Sequence, residues 1–401
     1  MDCRKRSNHL VTEELFFILD LLEKHGHGAR VVGGAVRNFL LGERISDVDM
    51  ATTALPQEVI SIFRERGIST APIGIEHGTV LVSYGGNSYE ITTLRKDVRT
   101  FGRRAQVEFT KSFEVDSCRR DFTINAIYMD KSGAFFDYHS GIQDIKERSI
   151  RFIGDAKMRI TEDYLRILRY FRFVAVYGNY VCNPEYLRVI DELKSNVLNL
   201  SSERIFAELT KIFSTADSHR IVPIMRNILG ELFHLKSDPI AICHGLGIYE
   251  AMSAAERIGT LMKFSNFPPD QLLKKYNLAR ELKEMISLPS VGPDEMPLAL
   301  KRTKKNLRKF LVKYSAAKWC MEGTISESRA KVLLDELEDF CESQYVDFNL
   351  RAKDLSEYNL SNEELKKIMI AAREFWLKSA KVSAADCLAH AVGHVGRKHR
   401  R

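Results

Sequence analysis

The chain has no apolar run long enough to cross a membrane as a helix, so no membrane partner is expected. Its start, MDCRKRSNHL, is basic, but no apolar core follows, and a secretory leader is not expected. The seven cysteines, at 3, 118, 182, 243, 320, 341 and 387, include no C-x-x-C pair. That scatter suits neither a disulfide framework nor a structural zinc site, and a reducing compartment, the cytoplasm, is expected. Internal repeats and low-complexity segments are absent. Charge of one sign is also scarce: 60 Lys and Arg against 53 Asp and Glu leave a formal net charge of +7. This mild excess fits a polyanionic partner without demanding one. What remains is 401 residues of ordinary composition, enough for two to four domains.

Against that background one stretch stands out: RVVGGAVRNFLLGERISDVDMATTA, Arg30 to Ala54. Arg30 to Val32 are β-prone and run into Gly33-Gly34. Paired glycines let backbone N–H groups converge on one point, and a helix beginning near Ala35 aims its N-terminus at the same spot. An anionic phosphate suits such a turn, with Arg37 in the first helical turn as a bidentate cation. Ser46-Asp47-Val48-Asp49-Met50 reads as a strand. Residues two apart on a strand face one side, so Asp47 and Asp49 should project together, with Val48 and Met50 buried behind them. Two adjacent carboxylates repel, and bound Mg2+ relieves the repulsion, which makes the pair candidate metal ligands and catalytic residues. Gly-Gly alone is only a turn and Asp-x-Asp alone a solvated strand edge. Their union in one strand–turn–helix–strand unit carries the assignment.

Residues 11–24, VTEELFFILDLLEK, have helical apolar spacing, and Pro56 to Arg66 reads as a helix with proline in its first turn. GTVLVSY and SYEITTL flank Gly85-Gly86-Asn87 and predict a hairpin. Together these give an α+β first domain with a small mixed or antiparallel sheet. KDVRTFGRRA, 96–105, has no clean period and reads as a mobile loop carrying Arg99, Arg103 and Arg104. In CRRDFTINAIYM, FTINAIYM is β-prone, Arg120 can grip a triphosphate, and Asp121 can accept from a ribose hydroxyl. Beyond about residue 155 the spacing is helical throughout, with breaks expected at Phe267-Pro268-Pro269 and at Pro289 to Pro297. The final GRKHRR reads as a basic, solvated end.

In the segment around Glu162, Thr161 is expected as a helix N-cap. Tyr164, Ile167, Leu168, Phe171, Val174 and Ala175 then share one apolar stripe. Glu162, Arg166 and Arg169 lie opposite, with Asp163 and Arg172 at the borders. Asp163 and Arg166, three apart, are neighbours. A plain intrahelical ion pair accounts for them. A second role also fits: the carboxylate accepts from an exocyclic amino group while the guanidinium donates to a ring nitrogen. Cytosine and adenine present that pattern; uracil and guanine invert it.

Taken in order, these motifs resemble a known family. GG-x-VR…D-x-D resembles the nucleotidyltransferase signature of the DNA polymerase β superfamily. RRDFTINA is similar to the second motif of the class II tRNA nucleotidyltransferases, the CCA-adding enzymes and the related bacterial poly(A) polymerases. FDYHSGIQDIKERSIRFIG resembles the family's linker motif, with Gly141, Asp144 and Arg151 at its landmarks. Glu162-Asp163-Tyr164-Leu165-Arg166 resembles its E-D-x-x-R, and SSERIFAELTKIF its next helical motif. The five ordered motifs span roughly residues 30 to 213. Asn38 and Thr53 stand where the family has, respectively, usually and often Asp. Ala352 to Met369 is only faintly similar to the family's late helical region.

The resemblance implies an α+β nucleotidyltransferase head over 1–155 and a helical neck with nucleotide-selecting and RNA-binding helices over 156–270. A tRNA-binding, all-α body and tail follows over 271–401. It implies template-independent addition of C and A, from CTP and ATP, to the tRNA 3′ end. Asp47 and Asp49 would hold Mg2+. Gly33, Gly34, Arg37, Arg120 and Asp121 would hold triphosphate and ribose, Asp163 and Arg166 would choose the base, and Arg169 and Arg172 would reach the triphosphate. A poly(A) polymerase, or a CC-only or A-only enzyme, uses the same motifs. The arginine loop, shortened in CC-only relatives, and the lack of a long basic extension favour full CCA addition. A non-catalytic RNA-binding protein would have no use for the retained carboxylates. Oligomeric state is left open.

Overall fold

In the computed structural model, the helical spacing after Thr12 becomes α1 (Glu13–Lys24), with the Thr12 hydroxyl capping the Leu15 N–H. The structure describes residues 12–101, 104–235, 237–343, 346–348, 350–351, 355, 361–379, 382–383, 385–390 and 392. The basic start, Arg103, most of the stretch from 352 to 360 and the terminal GRKHRR lie outside these residues. The chain divides into two compact units, Met1–Ile221 and Val222–Arg401.

In the first unit the elements run β1 (Ala29–Val32), α2 (Gly34–Leu41), β2 (Asp49–Thr52), α3 (Pro56–Arg64), β3 (Ser69–Gly74), β4 (Thr79–Tyr84) and β5 (Asn87–Thr93). Then come β6 (Arg95–Phe101), β7 (Arg104–Phe109), α4 (Phe113–Cys118), β8 (Ile127–Met129), β9 (Phe135–Asp137) and α5 (Gly141–Glu147). Seven strands form one mixed sheet in the order β3-β4-β5-β2-β1-β8-β9, in which only β2 and β5 run parallel. The expected hairpin is β4–β5, and the expected strand in FTINAIYM is confined to β8, after a 3-10 turn over Thr123–Asn125.

Alternation along the strands decides which side is core. Val31, Met50, Val80, Val82 and Ile91 pack under Leu15, Ile18, Leu19, Val59, Ile62 and Phe63 of α1 and α3. Val32, Ala51, Leu94 and Tyr128 form a second, smaller cluster with Phe113 and Phe136. α1 and α3 thus cover one face of the sheet. Phe113 of α4 and Phe136 cover part of the other, on which Asp49 remains exposed.

Four helices complete this unit: α6 (Ala156–Glu162), α7 (Leu165–Val176), α8 (Pro184–Leu193) and α9 (Ser202–Phe213). Phe122 joins them to the sheet domain, its ring centroid 4.9 Å from Phe152 and 4.8 Å from Phe173.

The second unit is helical, with no strand among the described residues: α10 (Arg226–Phe233), α11 (Pro239–Gly245), α12 (Ala254–Lys263), α13 (Pro269–Lys275), α14 (Arg280–Ile286), α15 (Met296–Arg302), α16 (Lys305–Met321), α17 (Glu327–Glu342) and α18 (Asn362–Lys378). Both proline-rich breaks fall at helix starts: Pro269 opens α13, and the stretch from Pro289 to Pro297 runs from the α14–α15 connection into the first turn of α15. Its buried cations are tied to backbone oxygens: Lys313 to Ala251, Lys301 to Trp376 and Ser379, and Arg308 to Leu300, Thr303 and Val346. Among the described residues no helix is long and apolar enough to cross a membrane, and the described cysteines are all free thiols.

Candidate active site

Strand register gathers the acidic residues. Val32 lies opposite both Asp49 on β2 and Tyr128 on β8, and Asp49 lies opposite Glu90 on β5. Directly paired residues share a face. Tyr128, Val32, Asp49 and Glu90 therefore form one row across four strands, on the face away from α1 and α3. Asp47 precedes β2 instead of lying on a strand with Asp49, as the sequence suggested. It remains exposed, and the Ser46 hydroxyl donates to its carboxylate at 3.0 Å.

Asp49 is exposed as a residue, but its carboxyl end reaches the glycine turn. A Cβ built on Gly33 would lie 3.9 Å from Asp49 Oδ2 and 3.7 Å from Arg120 Nη1. Lost hydration raises the Asp49 pKa, Arg120 opposes, and the charge of Asp47 adds to the rise. Glu90 is raised by lost hydration first, then by Asp49 and Asp47. Asp47, Asp49 and Glu90 thus repel one another, and a divalent cation suits that imbalance. Among the described residues no group of three or more His, Cys, Asp or Glu is arranged to hold a metal. Glu90 escaped the sequence reading, because only the β2–β5 register brings it near.

Gly33 has φ +78°, a conformation that glycine adopts without strain, and it provides no side-chain cap for α2. The first N–H groups of α2 thus lack a capping side chain. Arg37, expected to reach out as a phosphate ligand, is buried instead. Its Nη1 donates to Asn125 Oδ1 at 2.5 Å, and its Nε and Nη2 donate to Asn38 Oδ1 at 3.2 and 3.0 Å. Its guanidinium carbon sits 4.2 Å from the Tyr177 ring centroid. Asn38, the departure from the family pattern, is thus a neutral acceptor for Arg37 and donates to the Arg44 carbonyl at 3.0 Å.

Asp121 is committed within the protein. Arg169 grips its Oδ2 through Nη2 and, at 2.8 Å, through Nε, while Oδ1 accepts from Asn125 at 3.0 Å and from the Phe122 N–H at 2.9 Å. Burial would raise its carboxyl, but Arg169 and these hydrogen bonds outweigh it and bring the pKa down to about 2. Arg172 pairs with the buried Glu208 at 2.6 Å.

The E-D-x-x-R segment departs from the expected continuous helix. α6 ends at Glu162, Asp163 is extended with φ −154°, and α7 begins at Leu165. Thr161 is not an N-cap; it lies inside α6 and its hydroxyl donates to the Lys157 carbonyl. Asp163 and Arg166 are not an ion pair with each other. Asp163 Oδ2 accepts from Arg204 at 2.6 Å and Oδ1 from the Leu165 N–H at 3.2 Å. Arg166 Nη1 donates to Glu162 and to the Arg159 carbonyl, each at 2.5 Å. The apolar stripe is otherwise as expected, with Ile167, Leu168, Phe171, Val174 and Ala175 buried.

The described residues of the expected loop, 96–101 and 104–105, belong to a two-stranded antiparallel ribbon, β6–β7. The linker landmarks also have structural partners. Arg151 Nε donates to both Asp144 oxygens at 2.8 and 2.9 Å, and a Cβ on Gly141 would come within 2.3 Å of the Thr123 carbonyl oxygen, so only glycine fits there.

A mixed sheet that brings Asp49 opposite Glu90 beside a glycine turn, with Asp47 just ahead of the strand and Arg120 reaching the turn, suits a nucleotidyltransferase. Comparison with known proteins agrees. The family model described as "Poly A polymerase head domain" matches residues 29–151, and "Probable RNA and SrmB- binding site of polymerase A" matches 182–228. The mitochondrial CCA tRNA nucleotidyltransferase 1 of Homo sapiens is 36% identical over 310 residues, covering 76% of this chain and 67% of that protein. The CCA-adding enzyme of Geobacillus stearothermophilus is 39% identical over 215 residues, 53% of this chain and 52% of that one. The crystal structure of the Bacillus stearothermophilus CCA-adding enzyme in complex with CTP superposes with a TM-score of 0.69 at 25% identity, covering 97% of this chain and 98% of that one. The chain belongs to the class II tRNA nucleotidyltransferase family of CCA-adding enzymes, which add nucleotides to the 3′ end of tRNA. Members of the wider nucleotidyltransferase family use a divalent metal.

Proposed function

We propose that the chain adds C, C and A from CTP and ATP to the 3′ end of tRNA, and that its own side chains, not a nucleic acid template, choose the base. The observation that carries this reading is the fixed geometry of Asp163 and Arg166. Each is held by a partner other than the incoming nucleotide: Asp163 by Arg204 and the Leu165 N–H, Arg166 by Glu162 and the Arg159 carbonyl. Capacity remains, because carboxylate oxygens each accept twice and the Nε and Nη2 of Arg166 have no partner among the described residues. The amino group of C or A can donate to Asp163 while the ring nitrogen accepts from Arg166. U and G would set a carbonyl against the carboxylate and an N–H against the guanidinium, which costs several kcal/mol, roughly two powers of ten or more.

Asp47 and Asp49 would hold the divalent cation, Mg2+ in our reading, and bound there it would supply charge stabilisation at the reacting phosphate and the attacking hydroxyl. The rest of the site belongs to the chain. Gly33, Gly34 and the N-terminus of α2 offer N–H groups to the triphosphate, and Arg120 offers Nη1. Arg37, Asp121, Arg169 and Arg172 act from behind, setting Asn125 and the face of α7 toward the nucleotide. The tRNA 3′-hydroxyl gives up its proton to solvent as it attacks the α-phosphorus, the α–β phosphoanhydride bond breaks, and pyrophosphate leaves. Residues 1–155 do this chemistry, 156–270 select the base and help to hold RNA, and 271–401 hold tRNA by shape and phosphate charge. The free cysteines support a reducing compartment such as the cytoplasm. The Homo sapiens relative is mitochondrial, and cell fractionation decides between the two.

The test is to feed a tRNA lacking CCA with CTP alone, ATP alone, and both. Full CCA addition requires two C from CTP alone and completion only with both. A ladder of A from ATP alone would mark a poly(A) polymerase, and arrest after CC with both nucleotides a CC-only enzyme.

A further inference from the structure

We propose that Asp116 is a positioning residue that aims Arg120 at the nucleotide triphosphate, with the Tyr128 hydroxyl as its second jaw. This rests on the reading that Arg120 binds the triphosphate. Asp116 lies on α4, three and four residues before Arg119 and Arg120, and is 0% exposed. A carboxylate so deep in protein must be hydrogen-bonded on both oxygens. Oδ2 accepts from the Tyr128 hydroxyl at 2.7 Å and from Arg120 Nη2 at 3.2 Å. Oδ1 accepts from Arg119 Nε at 2.9 Å and from the Arg95 N–H at 3.2 Å. The Tyr128 hydroxyl accepts in turn from Arg120 Nε at 3.2 Å.

Arg120 is therefore gripped along one edge, at Nε and Nη2, by two groups that also bind each other. Its Nη1 is left over, 3.7 Å from where a Gly33 Cβ would stand. An arginine held this way offers a donor along a fixed line. Unheld, its flexible stem would have to be ordered at each nucleotide-binding event. Tyr128 also belongs to the Tyr128–Val32–Asp49–Glu90 row. The clamp is thus registered to the same sheet as Asp49, so the triphosphate donor and that carboxylate keep a fixed separation. Burial opposes the charge on Asp116, but Arg119 and Arg120 keep its pKa lowered, so the clamp stays ionised at neutral pH.

Asp116→Asn keeps the shape and an acceptor for the Arg95 N–H while removing the charge. KM and kcat for CTP and ATP on a tRNA primer are measured for the full chain, Asp116→Asn, Tyr128→Phe, Arg120→Ala, and the double variants with Arg120→Ala. If Asp116 acts through Arg120, Asp116→Asn raises KM for both nucleotides about tenfold with little change in tRNA KM, and Tyr128→Phe moves it the same way. On an Arg120→Ala background neither substitution adds to the defect, because the contact they support is already gone. Multiplying effects in the double variants, or an unchanged nucleotide KM in Asp116→Asn while Arg120→Ala is impaired, overturns the positioning role alone. An unchanged KM in Arg120→Ala overturns the triphosphate reading of Arg120 and the proposal with it. Should Asp116→Asn fail to fold, the Tyr128→Phe cycle decides by the same criteria.

Discussion

Replacing Asp163 with alanine separates base choice from everything else the site does. Its carboxylate sits between two helices, with 2.6 Å to Arg204 on one oxygen and 3.2 Å to the Leu165 N–H on the other. Three effects follow. The amino group of an incoming C or A loses a charge-assisted hydrogen bond of about 1.5–3 kcal/mol. At roughly 1.4 kcal/mol per power of ten, kcat/KM for CTP and ATP should fall by about tenfold to a hundredfold or somewhat more. UTP and GTP lose a repulsion and should not fall in parallel, so the C-to-U ratio drops by about one to a few powers of ten. The third effect is structural. The Leu165 N–H and Arg204 lose a partner, costing on the order of 1 kcal/mol of stability, or a few degrees in Tm. That cost is common to all four nucleotides and cancels in the ratio. The assay is kcat/KM for CTP, ATP, UTP and GTP on one primer below the melting range. An unchanged ratio in Asp163→Ala, even with lower activity overall, would show that Asp163 only joins α6 and α9.

Two further outcomes are expected. Asp47→Ala and Asp49→Ala should each abolish nucleotide addition while tRNA binding, read by gel shift, stays near normal, because a metal ligand is lost but little RNA-facing surface; normal turnover in either would refute their role. Asp121, held near pKa 2 against an ordinary value of 3.8, should contribute about 2 kcal/mol of stability. Its folded pKa is depressed, so the contribution is complete above about pH 4 and lost as pH falls toward 2. Asp121→Asn should flatten acid unfolding monitored by circular dichroism in that window, and an unchanged acid limb would contradict the Asp121–Arg169 account.

Much of the head was legible because its signals are local. The glycine turn and the Gly85-Gly86 hairpin each declare themselves within a few residues, whereas Asp47 lies just ahead of β2 and not on the strand with Asp49. The polar edge of the site was less so. Glu90 is brought to Asp49 by parallel register alone, and Arg204 reaches Asp163 across 41 residues. Asp116 looks like any charge on a short helix until Tyr128 and Arg120 close around it. The helical period through residues 162–175 concealed a break, because apolar spacing continues across Asp163 while its backbone turns extended. The β6–β7 ribbon stands apart from the main sheet, and its charged sequence lacks the apolar alternation by which a half-buried strand is recognised. Arg37 was placed on the right turn but read as a free cation. Its neighbours Asn38 and Asn125 engage it, and the second lies 88 residues away.

The most direct test of a protein template is to sequence the 3′ ends made when a tRNA lacking CCA meets all four nucleoside triphosphates at equal concentration. The account predicts CCA and then arrest, with U and G at or below the percent level that a penalty of several kcal/mol sets. Ends in which U or G appears as often as C or A would contradict selection by Asp163 and Arg166.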